Sequence, residues 1–180
     1  MKKYEFTGET KQIDTFGNIT VRRIRATMDF GTVKYGDLGG WIEKEENLNQ
    51  EDNAWVFGNA KVWGDAEISG NAKIWGDAKI CDNAGIWGDA EIYRTTHVLV
   101  LGPIGSRNDF TTFFRDKDNE IKVKCGCFLG KIDEFLEKVQ QTHGNSKHAL
   151  AYRAAVEVAK LQIDLESDQN DNGGQDDGTV

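Results

Sequence analysis

Between Asp52 and Tyr93 the chain repeats itself every six residues. It reads DNAWVF, GNAKVW, GDAEIS, GNAKIW, GDAKIC, DNAGIW, GDAEIY, seven hexads without an insertion. Two apolar columns run through them. One is Ala54, Ala60, Ala66, Ala72, Ala78, Ala84 and Ala90; the other is Val56, Val62, Ile68, Ile74, Ile80, Ile86 and Ile92. A period of six matches neither a 3.6-residue helix nor one long strand. It predicts a solenoid in which each hexad supplies a short strand and a corner. The small and the aliphatic residue lie two apart, so both point inward from one strand. The Gly-Asn and Gly-Asp pairs turn the corners, because both residue types tolerate positive φ. Three corners close a coil of eighteen residues.

The register extends outward from this block. Leu48 falls six before Ala54 in the small column. Val98 and Ile104 continue the aliphatic column, and Thr96 and Gly102 the small one. The expected organisation is mainly β. Residues 1–46 form an N-terminal β cap, 47–105 a β-helix of about three coils, 106–164 a β-hairpin followed by two α-helices, and 165–180 a disordered acidic tail. Stacking at eighteen residues places Phe57, Trp75 and Tyr93 in one outward ladder. That ladder is too apolar for free water, so flanking segments or a second subunit should cover it.

The flanks are read from composition and period. Val21, Ile24 and Ala26 mark a strand before the coil, and Gly39-Gly40-Trp41-Ile42 leads into it. After the hexads, Phe110–Arg115 and Ile121–Cys125 form a hairpin around Asp116–Asn119. Ile132, Phe135, Leu136 and Val139 make one helical stripe. Ala149, Tyr152, Val156, Ala159 and Ile163 make a second, capped by Ser146.

Composition narrows the function. The 180 residues carry 22 basic and 30 acidic side chains, a net charge of −8. Six of those acids lie in Asp164–Val180, where there is no base, so the body is close to neutral. General DNA binding needs clustered positive charge and is not expected. No run of about 18 apolar residues exists to span a membrane. MKKYEFTGETK has no apolar segment behind its lysines, so a secretory signal is not expected. Three cysteines then fit a reducing compartment without a disulfide framework. Cys125-Gly126-Cys127 offers a metal two ligands where tetrahedral zinc needs four, so no metal and no cofactor are expected.

The candidate site is Leu101–Asp109, which holds the only proline of the chain. Gly102 and Gly105 free backbone N–H groups to approach an anion. Arg107 can fork onto a phosphate, and Ser106 and Asn108 add donors. Asp109 can orient the arginine or accept from a sugar or base; Thr111, Thr112 and Arg115 follow. The competing reading is a chain turning off the coil, with Arg107 and Asp109 as a local ion pair. The G-x-x-x-x-G-K-[ST] phosphate loop is absent.

The hexads resemble the bacterial hexapeptide repeat, [LIV]-[GAED]-x-x-[STAV]-x, of left-handed parallel β-helices. Ile74-Trp75-Gly76-Asp77-Ala78-Lys79 shows the match, and Trp75 departs from its second position. That resemblance implies the left hand and a side-by-side trimer. The wider arrangement resembles a family of small bacteriophage and prophage proteins, through GDLGGWIE, GPIGSRNDFTTFF, KCGCF and THGN. It implies a cytoplasmic place in a bacterial host. The expectation is a non-enzymatic trimer that captures a small anionic nucleotide-like ligand, such as a host immune signalling nucleotide. The first alternative is a hexapeptide-type acyltransferase using His97, the one histidine of the repeat region. The second is a module whose aromatic face docks a host protein. A related zinc carbonic anhydrase class needs three histidines, and the repeat supplies one.

Overall fold

The computed structural model describes residues 2–13 and 19–165. The expected acidic tail, but for Leu165, lies outside them.

The hexads stack as parallel strands. Strand β4 (Trp55–Val56) pairs with β7 (Lys73–Ile74) and β7 with β10 (Glu91–Ile92). A second face joins β5 (Lys61–Val62) to β8 (Lys79–Ile80), and a third joins β6 (Glu67–Ile68) to β9 (Gly85–Ile86). Each partner lies eighteen residues on, as in Val62 opposite Ile80. Backbone hydrogen bonds hold the rungs, with Lys61 N–H donating to Ala78 O at 2.9 Å and Trp75 N–H to Ile92 O at 2.7 Å. Every alanine and every aliphatic side chain of the two columns is buried, none above 2% exposed. An amide ladder runs outside: Asn53 donates to Asn71 at 3.1 Å and Asn71 to Asp89 at 2.9 Å. Phe57 and Trp75 stack with centroids 3.6 Å apart, and Trp75 and Tyr93 at 6.2 Å. At Gly70 a Cβ would come within 2.8 Å of Gly88 N, so the corner admits no side chain. Where DNAGIW lacks the glycine, Asp82 itself adopts φ +58°.

The cap and the coil interpenetrate. Strands β1 (Tyr4–Ile13), β2 (Ile19–Ala26) and β3 (Leu38–Ile42) form an antiparallel meander, and β3 continues in parallel with β5. Ile42 faces Val62 and Leu48 bridges Ile68, a spacing of twenty. Leu48 therefore belongs to the aliphatic column, because two extra residues before Val56 shift the frame. The meander closes the first rung with a buried cation. Lys3 Nζ donates to Asp52 Oδ1 at 2.9 Å, Asp52 O at 2.9 Å and Ala54 O at 2.8 Å, using all three of its hydrogens. Burial pulls its pKa below the usual 10.5, against the opposing pull of Asp52.

The last strand of the coil is β10, so the expected continuation to Ile104 is corrected. A 3-10 turn at Thr95–His97 leads into β11 (Val98–Ile104), which runs antiparallel to β12 (Asp109–Arg115). The reason is that Val98-Leu-Val-Leu101 is apolar on both faces: Val98 and Val100 pack on the coil core, Leu99 and Leu101 on a second core. The expected hairpin is part of a four-stranded sheet, β11–β12–β13–β14, with β13 at Ile121–Cys125 and β14 at Phe128–Lys131. Helices α1 (Ile132–His143) and α2 (Lys147–Gln162) cover its far face. Ser146 Oγ caps α2, accepting from Ala149 N–H at 3.4 Å. The sheet is sandwiched: Phe114 enters the coil core and Phe113 the helix core, both fully buried. Among the described residues no helix is long and apolar enough to cross a membrane.

Ile74 lies at 0% exposure in the middle rung of its face. Ile74→Ala should cost about 2–5 kcal/mol in urea unfolding; an unchanged midpoint would contradict the stacked core.

Candidate functional site

The unusual segment is the tip of a β-hairpin. Ile104 pairs with Asp109, leaving Gly105–Asn108 as the turn. Gly105 at φ +73° and Asn108 at φ +49° supply its left-handed positions. Gly105 has a second reason to be glycine: a Cβ there would overlap the Tyr152 hydroxyl. The tip is thereby pinned to α2.

Three of the nine expected residues, Ser106, Arg107 and Asp109, line a cavity of about 450 Å³. Its other walls come from the β13–β14 turn, through Cys125, Cys127 and Phe128, and from α1, through Phe135, Lys138, Thr142 and His143. Tyr152 of α2 completes it. The rings form one cluster: Phe128 and Phe135 are 5.4 Å apart, Phe135 and Tyr152 5.4 Å, and Tyr152 and His143 5.8 Å with planes 31° apart. Arg107 and Lys138 are exposed and make no hydrogen bond or ion pair with any described residue. The cavity thus joins an aromatic lining to two uncommitted cations, with the Asp109 carboxylate also at its wall.

The remaining expected residues do other work. Thr111 is buried and donates to Cys125 Sγ at 3.3 Å. Thr112 is buried on the opposite face, its Oγ1 accepting Gly85 N–H at 3.0 Å. Alternation along β12 sends the two threonines to opposite sides, so they serve the two cores and not one ligand. Arg115 is held by Asn119 Oδ1 at 2.6 Å and Glu91 O at 3.0 Å, above the Tyr93 ring at 5.4 Å. It covers the end of the aromatic ladder. Gly102 packs on Phe110 ahead of a cis bond to Pro103, and Asn108 shapes the tip; neither lines the cavity. No Arg107–Asp109 ion pair forms.

The α1 side of the cavity escaped the sequence reading. Phe135 and Val139 read as an ordinary core stripe, and nothing in the local pattern separates Lys138 from any solvated lysine. Only packing of α1 beside the hairpin tip gives it a role.

A hollow of about 350 Å³ adjoins on the coil side and shares Asp109 and Gly126. Asp65 and Glu67 edge it. Its lysine, Lys124, is engaged by the Gly126 carbonyl and lies 4.2 Å from the Trp87 ring centroid. Among the described residues no three His, Cys, Asp or Glu side chains are grouped to hold a metal ion.

His97, the residue an acyltransferase would need, is only 2% exposed. Its Nδ1 accepts Tyr93 N–H at 3.3 Å, and its ring meets the Tyr93 ring edge-on at 6.2 Å. Asn47 ends the comparable 3-10 turn at Glu45–Asn47, where Oδ1 accepts Lys44 N–H and Nδ2 donates to Gly64 O and Ala66 O. Both residues are buried polar groups in turns flanking the coil.

Part of the chain is similar to an acetyltransferase. The relative is the uncharacterized acetyltransferase YdcK of Escherichia coli (strain K12), 39% identical over 75 residues. The match covers 38% of this chain and 23% of YdcK, so the chain spans under a quarter of that relative's length. No family model matches the chain.

Burial, reinforced by the neighbouring Cys125 and opposed by Arg107, pushes the Tyr152 phenol from 10.0 up to about 12. A raised folded-state pKa stabilises below the unfolded value and loses that contribution as pH rises through the folded one. Unfolding free energy should therefore fall between pH 10 and 12. The fall should be shallower in Tyr152→Phe; identical pH profiles would refute this placement of the hydroxyl.

Proposed function

We propose that this chain is a ligand-binding protein whose sheet-and-helix module takes up a small anionic, nucleotide-like molecule. The observation that supports this most is the presence of Arg107 and Lys138, from two different elements, at one aromatic-lined cavity without protein partners. Arginine presents a planar fork for phosphate, and lysine a compact point charge. The neighbouring rings offer faces on which a base can stack. Concave sites of this size with a few convergent polar groups are where small ligands bind. In this reading the coil is a left-handed parallel β-helix and the scaffold of a side-by-side trimer. Capture without conversion would suit a phage or prophage protein that withdraws a signalling nucleotide in the host cytoplasm.

The second reading is acyl transfer, and the likeness to YdcK backs it more directly than it backs sequestration. It would make the protein an enzyme, with His97 as the general base of a hexapeptide-type acyltransferase. The burial of His97 weighs against that role, since a base must come within hydrogen-bond reach of the acceptor it deprotonates.

Native mass spectrometry before and after denaturation separates the two readings. Under the binding reading a nucleotide-like mass leaves intact, assemblies are trimeric, and Arg107→Ala lowers affinity at least about tenfold, near 1.4 kcal/mol. Consumption of acetyl-coenzyme A that is lost in His97→Ala would replace binding with acyl transfer. A mass near 20 kDa at micromolar concentration would refute the trimer.

A further inference from the structure

Resting on the binding reading above, we infer that the cavity is built for one nucleotide and not two. The ligand class is the nucleoside monophosphate, with its phosphate between Arg107 and Lys138 and its base against the ring cluster. Lys138, on α1, is then a binding residue of equal standing with Arg107.

Size is the first argument. About 450 Å³ lies toward the small end of the roughly 300–1,000 Å³ typical of ligand sites. Charge is the second. The cavity could lengthen past Asp109 and Gly126, but the adjoining hollow is edged by Asp65, Glu67 and Asp109. A second phosphate there would meet carboxylates, and Lys124 is already engaged by a carbonyl and an indole face. The carboxylates of the hollow therefore disfavour a second phosphate, and Arg107 and Lys138 are the two lysine or arginine side chains that line the cavity itself.

The lining also bears on base selectivity. Among the described residues that form the cavity there is no asparagine or glutamine, the side chains that read a base edge with paired donors and acceptors. Rings present faces, which every base can match. Selection should rest on the phosphate and on size, with weak preference among bases.

The experiment is isothermal titration calorimetry on the full chain with adenosine and guanosine 5′-monophosphates, adenosine, inorganic phosphate and a cyclic dinucleotide. The expected result is one monophosphate per chain. Adenosine, phosphate alone and the cyclic dinucleotide should each bind at least tenfold more weakly. Arg107→Ala and Lys138→Ala should each weaken the monophosphate at least tenfold, with Lys138→Arg largely retaining it. Lys138 is exposed, so matching melting curves would show that its loss acts on binding and not on folding. Equal or tighter binding of the cyclic dinucleotide would overturn the one-nucleotide limit and leave the binding reading standing. Monophosphate binding that ignores Lys138→Ala would overturn the placement of the phosphate at Lys138 and leave the binding reading standing. If no nucleotide binds, both the inference and the reading beneath it fall.

Discussion

Parallel stacking at eighteen residues is the constraint on which the rest of this structure depends. Each backbone N–H of a short strand finds its acceptor one rung away, and each Ala and Ile/Val finds its neighbour in the same column. A two-residue strand has no stability alone, and the repeat provides it only by addition. The cost of this arrangement is two open ends, each a row of unpaired strand edges above an apolar shaft. Most of the remaining chain answers that problem.

The two ends are closed by different means. At the first rung a meander of strands packs Tyr4 on Trp55 of β4, and Lys3 satisfies carbonyls that no further rung exists to reach. At the last rung β12 brings in Phe114, while Lys117 N–H reaches Asp89 O. Asp116, itself buried, accepts Asp118 and Glu120 N–H groups and pairs with Lys122 at 3.4 Å. The other face of that sheet carries Leu99, Leu101, Phe113 and Val123, apolar side chains that need cover of their own. That requirement brings in the two helices and places the cavity where hairpin tip, β13–β14 turn and α1 meet.

The proposed site is separated from the repeat. The hexads supply a rigid base, and the residues available to a ligand belong to the module that caps it. The likeness to YdcK covers 38% of the chain, and His97 at the end of the coil is buried against the Tyr93 backbone and ring. Likeness confined to under a quarter of a relative reports first on the shared stretch of fold.

The coil was legible in the sequence because each hexad repeats the same local decision: small and aliphatic side chains inward, a left-handed residue at the corner. The aromatic ladder followed from arithmetic, and so did the helical stripes, because period alone decides which residues share a face. Where two extra residues break the frame, a count of six puts Leu48 in the small column, while the fold sets it beside Ile68. Where apolar residues ran consecutively, at Val98–Leu101, periodicity had no means of telling a further rung from a strand between two cores. The candidate site was half legible. Gly105, Ser106, Arg107 and Asp109 stood out as a turn with donors, but Thr111, Thr112 and Arg115 owe their roles to which side of β12 they face. Lys138, Phe128 and His143 carry no local signal at all. The sequence by itself determined the repeating coil and its inward columns, since those rest on contacts at a fixed spacing. Tertiary structure alone decided which side chains meet at the cavity, because that meeting joins elements whose separation in the chain follows no period.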